Sequence, residues 1–96
     1  MKPIKFTREA QDNLLKQAQY LFEQSRNLDI AENHLIVMKE YLTETLQRFP
    51  LIGRLSDEYG QPGIRKLVYH HYTILYRIDS EAIYILAIFR ENLPKL

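Results

Sequence analysis

The stretch Phe49-Pro50-Leu51-Ile52-Gly53-Arg54 marks the point where this chain of 96 residues changes character. Before it, apolar residues recur every three or four positions; after it, they alternate. Upstream, Ala31, Leu35, Met38, Leu42, Leu46 and Phe49 form an amphipathic stripe lasting about five turns. Pro50 ends it, because proline disfavours helical geometry in the residue before it, so the helix is expected to stop near Arg48 or Phe49.

Downstream of Gly53, Ile64 to Tyr69, Tyr72 to Ile78 and Ala82 to Phe89 are rich in β-branched and aromatic residues. Tyr59-Gly60-Gln61-Pro62-Gly63 is a turn cluster. His70-His71 and Asp79-Ser80-Glu81 stand where tight reversals are needed, which predicts a three-strand antiparallel meander. In the middle strand Tyr72, Ile74, Tyr76 and Ile78 share one face while Thr73, Leu75 and Arg77 share the other, the pattern of a sheet covered on one side. The last strand is apolar on both faces and is therefore expected inside the sheet.

Toward the amino end, Ile4 to Phe6 can form a short strand, with Thr7 placed to cap a first helix and Glu9 in its first turn. Ala10, Leu14, Ala18, Leu21 and Ser25 follow at helical spacing, and Leu15 and Phe22 widen the stripe that this helix is expected to bury. Ser25-Arg26-Asn27 breaks the helix, and Asp29-Ile30-Ala31-Glu32 reads as an Asp variant of the capping box opening the second. The expected fold is α+β in the order β-α-α-β-β-β. A short amino-terminal strand and an antiparallel two-helix hairpin pack on one face of a small, mainly antiparallel sheet, in one domain over 1–96.

Composition narrows the function. The chain has no cysteine, which removes disulfides, thiolate metal sites and thiol nucleophiles. Its net charge is +1, spread evenly: seven basic and seven acidic residues up to Pro50, six and five after it. Tight binding to a phosphate backbone draws on clustered Lys and Arg, so direct nucleic-acid binding is not expected. Neither a signal peptide nor an apolar run long enough to span a membrane is visible, and a cytoplasmic location is expected.

Arg65, beside Lys66, is the first candidate site residue: a guanidinium on a rigid strand can grip a carboxylate or phosphate, or it can simply pair with Asp57 or Glu58. Tyr69, Tyr72, Tyr76 and Tyr84 form a phenol-rich set; Tyr76 is assigned to the core, while Tyr72, next to a loop, is open to either a core or a contact role. Arg90, in Phe89-Arg90-Glu91-Asn92-Leu93, stands at a strand end where charge can face a partner. His70 and His71 are adjacent and on extended backbone point opposite ways, so they cannot share a metal. His34 is read as a partly exposed helix residue. No phosphate-binding glycine loop, serine triad or paired-carboxylate motif is present, and no catalytic residue, metal or cofactor is assigned.

The proline-stopped helix, the Arg65 strand and the Tyr72-x-x-x-Tyr76 hairpin together resemble the ParE/RelE superfamily of bacterial type II toxins. That resemblance implies a helical hairpin on a small sheet and a toxin held in a hetero-oligomer by a cognate antitoxin. RelE-like members are ribosome-dependent messenger RNA endonucleases. They carry lysines after the second helix, an Arg immediately after the first Tyr of the penultimate strand, and Arg, His or Tyr near the carboxyl end. Here Thr73 stands at the strand position, Arg48 and Arg54 are the cations nearest the helix end, and Arg90 alone is a carboxyl-terminal match. Loss of a transition-state cation costs several kcal/mol, roughly three.

ParE-like members poison DNA gyrase and need no catalytic groups. The resemblance leans to this branch, with Arg65, Tyr72 and Arg90 as target-binding residues. The apolar residues Ile36, Val37 and Tyr41, beyond the core stripe of the second helix, are either an antitoxin-binding surface or a widening of the face buried on the first helix. The alternatives are a RelE-like endonuclease and a non-toxic family member that acts only by binding an antitoxin.

Overall fold

Helix ends are set by side chains that reach the free backbone groups there. In the computed structural model, which describes residues 1–90, a short strand β1 (Ile4–Phe6) leads into helix α1 (Arg8–Ser25) through Thr7. The Thr7 hydroxyl accepts the Ala10 N–H at 3.2 Å and donates to the Leu86 carbonyl at 3.1 Å, capping the helix and tying it to the sheet at once. Arg26, at φ 56°, closes α1 by donating its N–H to the Phe22 carbonyl. Helix α2 (Leu28–Arg48) then starts on Asn27, whose Oδ1 accepts from the N–H groups of Asp29 and Ile30. The expected Asp29 cap is thus displaced by two residues. Asn27 reaches the amides first, and Asp29 lies in the first turn, where its charge favours the helix dipole.

Arg48 ends α2 one residue short of the Phe49-Pro50 peptide, as the proline dictates. Four strands follow: β2 (Arg54–Leu55), β3 (Ile64–Tyr69), β4 (Tyr72–Ile78) and β5 (Ile83–Arg90). The segment quoted after Arg90 lies outside the described residues. The sheet order is β1-β5-β4-β3-β2, with β1 parallel to β5 and every other pair antiparallel. The α+β architecture and the interior place of β5 agree with the sequence reading. The two-residue strand β2 was not expected, since two residues carry no alternation.

One expectation for β4 fails. Thr73 and Leu75 lie on the face away from the helices yet are both buried. Strand β4 is the middle of five, and the cross-strand partners Val68 and Phe89 flank Thr73 while Lys66 and Ala87 flank Leu75. A register irregularity at Leu75/Tyr76 lies in the same stretch. On the helix side, Leu14, Leu42, Leu46, Ile74, Tyr76, Ile83, Ile85 and Ile88 form the fully buried core. The β4–β5 reversal is closed by Asp79, whose carboxylate accepts the backbone N–H groups of Ala82 and Glu81 and is held by them below its usual range.

The helix layer is joined to the sheet at the Pro50–Gly53 turn. The Tyr76 hydroxyl accepts the Gly53 N–H at 2.8 Å and donates to the Pro50 carbonyl at 2.8 Å, while the Arg65 guanidinium donates to the Gly53 carbonyl at 2.7 Å. Burial pushes the Tyr76 hydroxyl above its usual value, against the opposing pulls of the Gly53 N–H and the Arg65 charge, so the phenol keeps the proton it donates. A Cβ at Gly53 would stand 2.6 Å from the Tyr76 ring, so glycine is required by close approach. Gly53→Ala is expected to cost about 1–3 kcal/mol by overpacking. Tyr76→Phe is expected to cost about 1–3 kcal/mol by leaving the Gly53 N–H and the Pro50 carbonyl unpaired. Each shows as a fall in melting temperature of about 4–8 °C per kcal/mol, and unchanged melts for both would refute the role given to this turn.

Candidate functional site

Strand register decides which of the sequence-selected residues meet. Tyr69 and Tyr72 are paired across the tight β3–β4 turn, and Tyr72 is paired in turn with Arg90 on β5. His70 takes φ 54° in that turn, a left-handed conformation uncommon for a residue with a Cβ, and its ring meets the Tyr69 ring edge-on at 4.4 Å. Cross-strand partners share a sheet face. Tyr72 and Arg90 therefore stand together on the helix side, where they line a cavity of about 280 Å³ with Lys16, Gln17 and Tyr20 of α1. The lining has two cations and two phenols and no carboxylate among the described residues, which suits an anionic group attached to an apolar body.

Arg65 is not part of this surface. It pairs with Tyr76, four residues along β4 from Tyr72, or roughly 13 Å at strand rise, and its guanidinium is engaged with the Gly53 carbonyl. No carboxylate is needed to explain its position.

Tyr72 is held from behind by His34, whose ring lies 5.1 Å away and tilted by 41°. His34 is the partly exposed helix residue that the sequence suggests, and in the fold it also joins α2 to Gln17 of α1 and Tyr72 of β4. Gln17 donates from Nε2 to the Ile88 carbonyl at 2.9 Å, which turns its Oε1 toward His34 Nε2 at 2.9 Å. Because that oxygen can only accept, Nε2 carries the hydrogen and Nδ1 of the neutral ring is bare. Asn13 completes the tie by accepting the Ile88 N–H at 2.9 Å. Beyond Phe6 no strand among the described residues covers this edge of β5, and α1 side chains bind its backbone there.

Ile36, Val37 and Tyr41 do not form one surface. At about 100° per residue, Ile36 is turned about 140° around α2 from Tyr41. Val37, 40% exposed, shares a cavity of about 290 Å³ with Ile30, His34, Tyr69, His70 and Tyr72. Tyr41 is half-buried and stacks on Tyr69 at 3.6 Å. Ile36 is exposed on the opposite flank. A mainly apolar groove of about 430 Å³ lies between the helices, lined by Leu15, Ala18, Phe22, Leu28, Ala31 and Leu35 together with Gln19, Glu23 and Glu32. Leu15 is 54% exposed and Phe22 39%, so the flank they add to the stripe is open, while Ala10, Leu14 and Ala18 at its centre are buried as expected. The physical reason is the floor: Ala18 and Ala31 are too small to close the space between the two helices. Two alanines, each in the apolar stripe of its helix, were the available sequence signal.

Burial lowers the pKa of His34 below its usual 6.5. A depressed value in the folded state means that stability is fully present above pH 6.5 and declines as pH falls through the folded value. Melts taken between about pH 7 and 5 are expected to fall, and His34→Gln, which keeps a donor but cannot titrate, is expected to flatten that part of the profile. A variant profile identical to the parent's would show that His34 does not carry the effect.

The sequence matches the family described as the ParE toxin of type II toxin-antitoxin system, parDE, over residues 4–92. No curated protein sequence matches the chain. Among solved structures it is similar to the chromosomal ParDE TA system from P. aeruginosa, with a TM-score of 0.75 and 22% identity over 96% of this chain and 98% of that one. It is also similar to the YoeB dimer from Staphylococcus aureus, with a TM-score of 0.53 and 18% identity over the same shares. At such identities the structural likeness is one of fold. The family pattern runs through both helices and all five strands, and the chain belongs to the ParE toxin family.

Proposed function

We propose that the chain acts as a toxin by docking on a protein target, that the target is DNA gyrase, and that a cognate antitoxin neutralises it. The observation that carries this reading is the missing charge at the strand position where an endonuclease carries its arginine. Thr73, at the position of the endonuclease strand arginine, is buried and uncharged, and Arg65 is committed to the Gly53 carbonyl. Bond cleavage in RNA needs positive charge gathered around one phosphate. Docking needs only a few well-placed aromatic and arginine side chains, and Tyr72 and Arg90 with Tyr20 and Lys16 meet that description. Arg65 supports this surface only from a distance.

For the antitoxin, the apolar groove between α1 and α2 is the better seat than the Ile36, Val37 and Tyr41 set. An amphipathic segment can bury Leu15, Phe22 and Leu28 there, and the solved ParDE relative is named for a toxin-antitoxin pair. A second reading has one observation in its favour. His34 packs against Tyr72 and bonds Gln17, two residues that line the cavity holding Arg90 and Lys16, so an imidazole and two cations exist at one end of the sheet. That is the start of an endonuclease site.

Purified chain is expected to block supercoiling by gyrase and to leave ribosome-bound messenger intact; the reverse result selects the endonuclease reading, and neither effect the non-toxic one. Arg90→Ala is expected to weaken inhibition by roughly 10- to 30-fold. In cells, Phe22→Asp is expected to leave toxicity in place while abolishing rescue by the co-expressed antitoxin; rescue that survives this change would move the antitoxin elsewhere.

A further inference from the structure

We propose that the β2 corner of the sheet is a self-association surface on which two copies of the chain meet edge to edge about a two-fold axis. Three independent features converge there. The first is exposed apolar area: Phe49, Leu51, Ile52, Leu55 and Val68 are each about half or more open to solvent, in the turn after α2 and on the two outer strands, where Leu55 and Val68 flank the edge from opposite faces. Exposed apolar patches of this kind mark contact surfaces. The same corner holds a cavity of about 540 Å³, with Ile52, Leu55 and Val68 in its lining.

The second feature is the open backbone edge. Among the described residues, strand β2 is the last in the sheet and pairs only with β3. Ser56 donates its N–H to the Ile64 carbonyl at 2.9 Å, which makes 56/64 a hydrogen-bonded pair and, by alternation, 54/66 another. Leu55, between them, then turns its N–H and C=O away from β3. Those two groups are what a further antiparallel strand requires.

The third feature is the order of charges, and it selects a second copy over another partner. Along the edge the cation Arg54 precedes Leu55, and the anions Asp57 and Glu58 follow it, with the cation Lys66 opposite Arg54. All four charged residues line the cavity, and they sum to zero. A nucleic acid or an acidic protein would call for a surplus of positive charge. An antiparallel copy centred on Leu55 sets Leu55 against Leu55 and Arg54 against Ser56 of the second copy, with Asp57 and Glu58 of that copy next in line. Each cation end thus meets an anion end twice, as a two-fold interface demands. The Tyr76 and Arg65 bonds already hold the Gly53 end of this edge, so little ordering is left to be lost on association.

The test is sedimentation of the purified full chain over a concentration series. The expected result is a mass that moves from one chain to two, with Leu55→Lys weakening self-association by at least roughly tenfold. Arg54→Glu is expected to weaken it as well, and the double change Arg54→Glu with Glu58→Arg to restore it, a rescue that a folding defect could not produce. A single-chain mass at every concentration would overturn the proposal. So would a dimer indifferent to Leu55→Lys and to the charge swap. Should Leu55→Lys fail to fold, the swap pair decides alone.

Discussion

The rest of the molecule depends on one phenol. The Tyr76 hydroxyl sits between the Gly53 N–H and the Pro50 carbonyl, and through them it fixes where the helix layer ends and the sheet begins. Both backbone groups belong to a turn with no ladder of its own, and each would otherwise be a polar group near the core without a partner. Arg65 completes the arrangement from β3 by holding the Gly53 carbonyl. Three separated segments are therefore joined at a point of a few ångströms. Proline supplies the stop, glycine the room, tyrosine the reach and arginine the closing charge.

This arrangement also explains why Arg65 reads ambiguously in the sequence. A strand arginine flanked by lysine looks available for a partner, and nothing in its neighbours reveals that a carbonyl twelve residues back will take it. Backbone acceptors in loops leave no signature in residue type. Tyr72 and Arg90 are the opposite case. Each lies at the end of a strand whose limits alternation makes plain, so the two-residue turn at His70-His71 brings Tyr72 to a definite level of the sheet.

The legible parts of the fold are those with a strong period or a hard stop. Strands β3 and β4 fall where alternation puts them, and α2 ends where Pro50 requires. What escaped depends on distance between elements. Leu15 and Phe22 have the spacing of buried residues, but spacing tells which way a side chain points along its own helix and not how far the neighbouring helix covers it. Ala18 against Ala31 leaves that cover incomplete. The contacts of His34 are similar: Gln17 on α1 and Tyr72 on β4 meet it from elements that no local pattern links to α2. The cap at Asn27 was missed for a simpler reason, since Asn27 and Asp29 both suit the role and geometry alone separates them.

The parallel pairing of β1 with β5 has a consequence for biosynthesis. Strand β1, Ile4–Phe6, finds its partner in β5, at Ile83 to Ile85, and β5 must enter between β1 and β4. Helix α1 is in the same position, because Asn13 and Gln17 bind the backbone of Ile88. A nascent chain on the ribosome can form its hairpin of helices early but lacks a closed sheet until β5 emerges. A translation product that stops before β5 lacks the Tyr72–Arg90 pair, so this surface forms only when the sheet is completed.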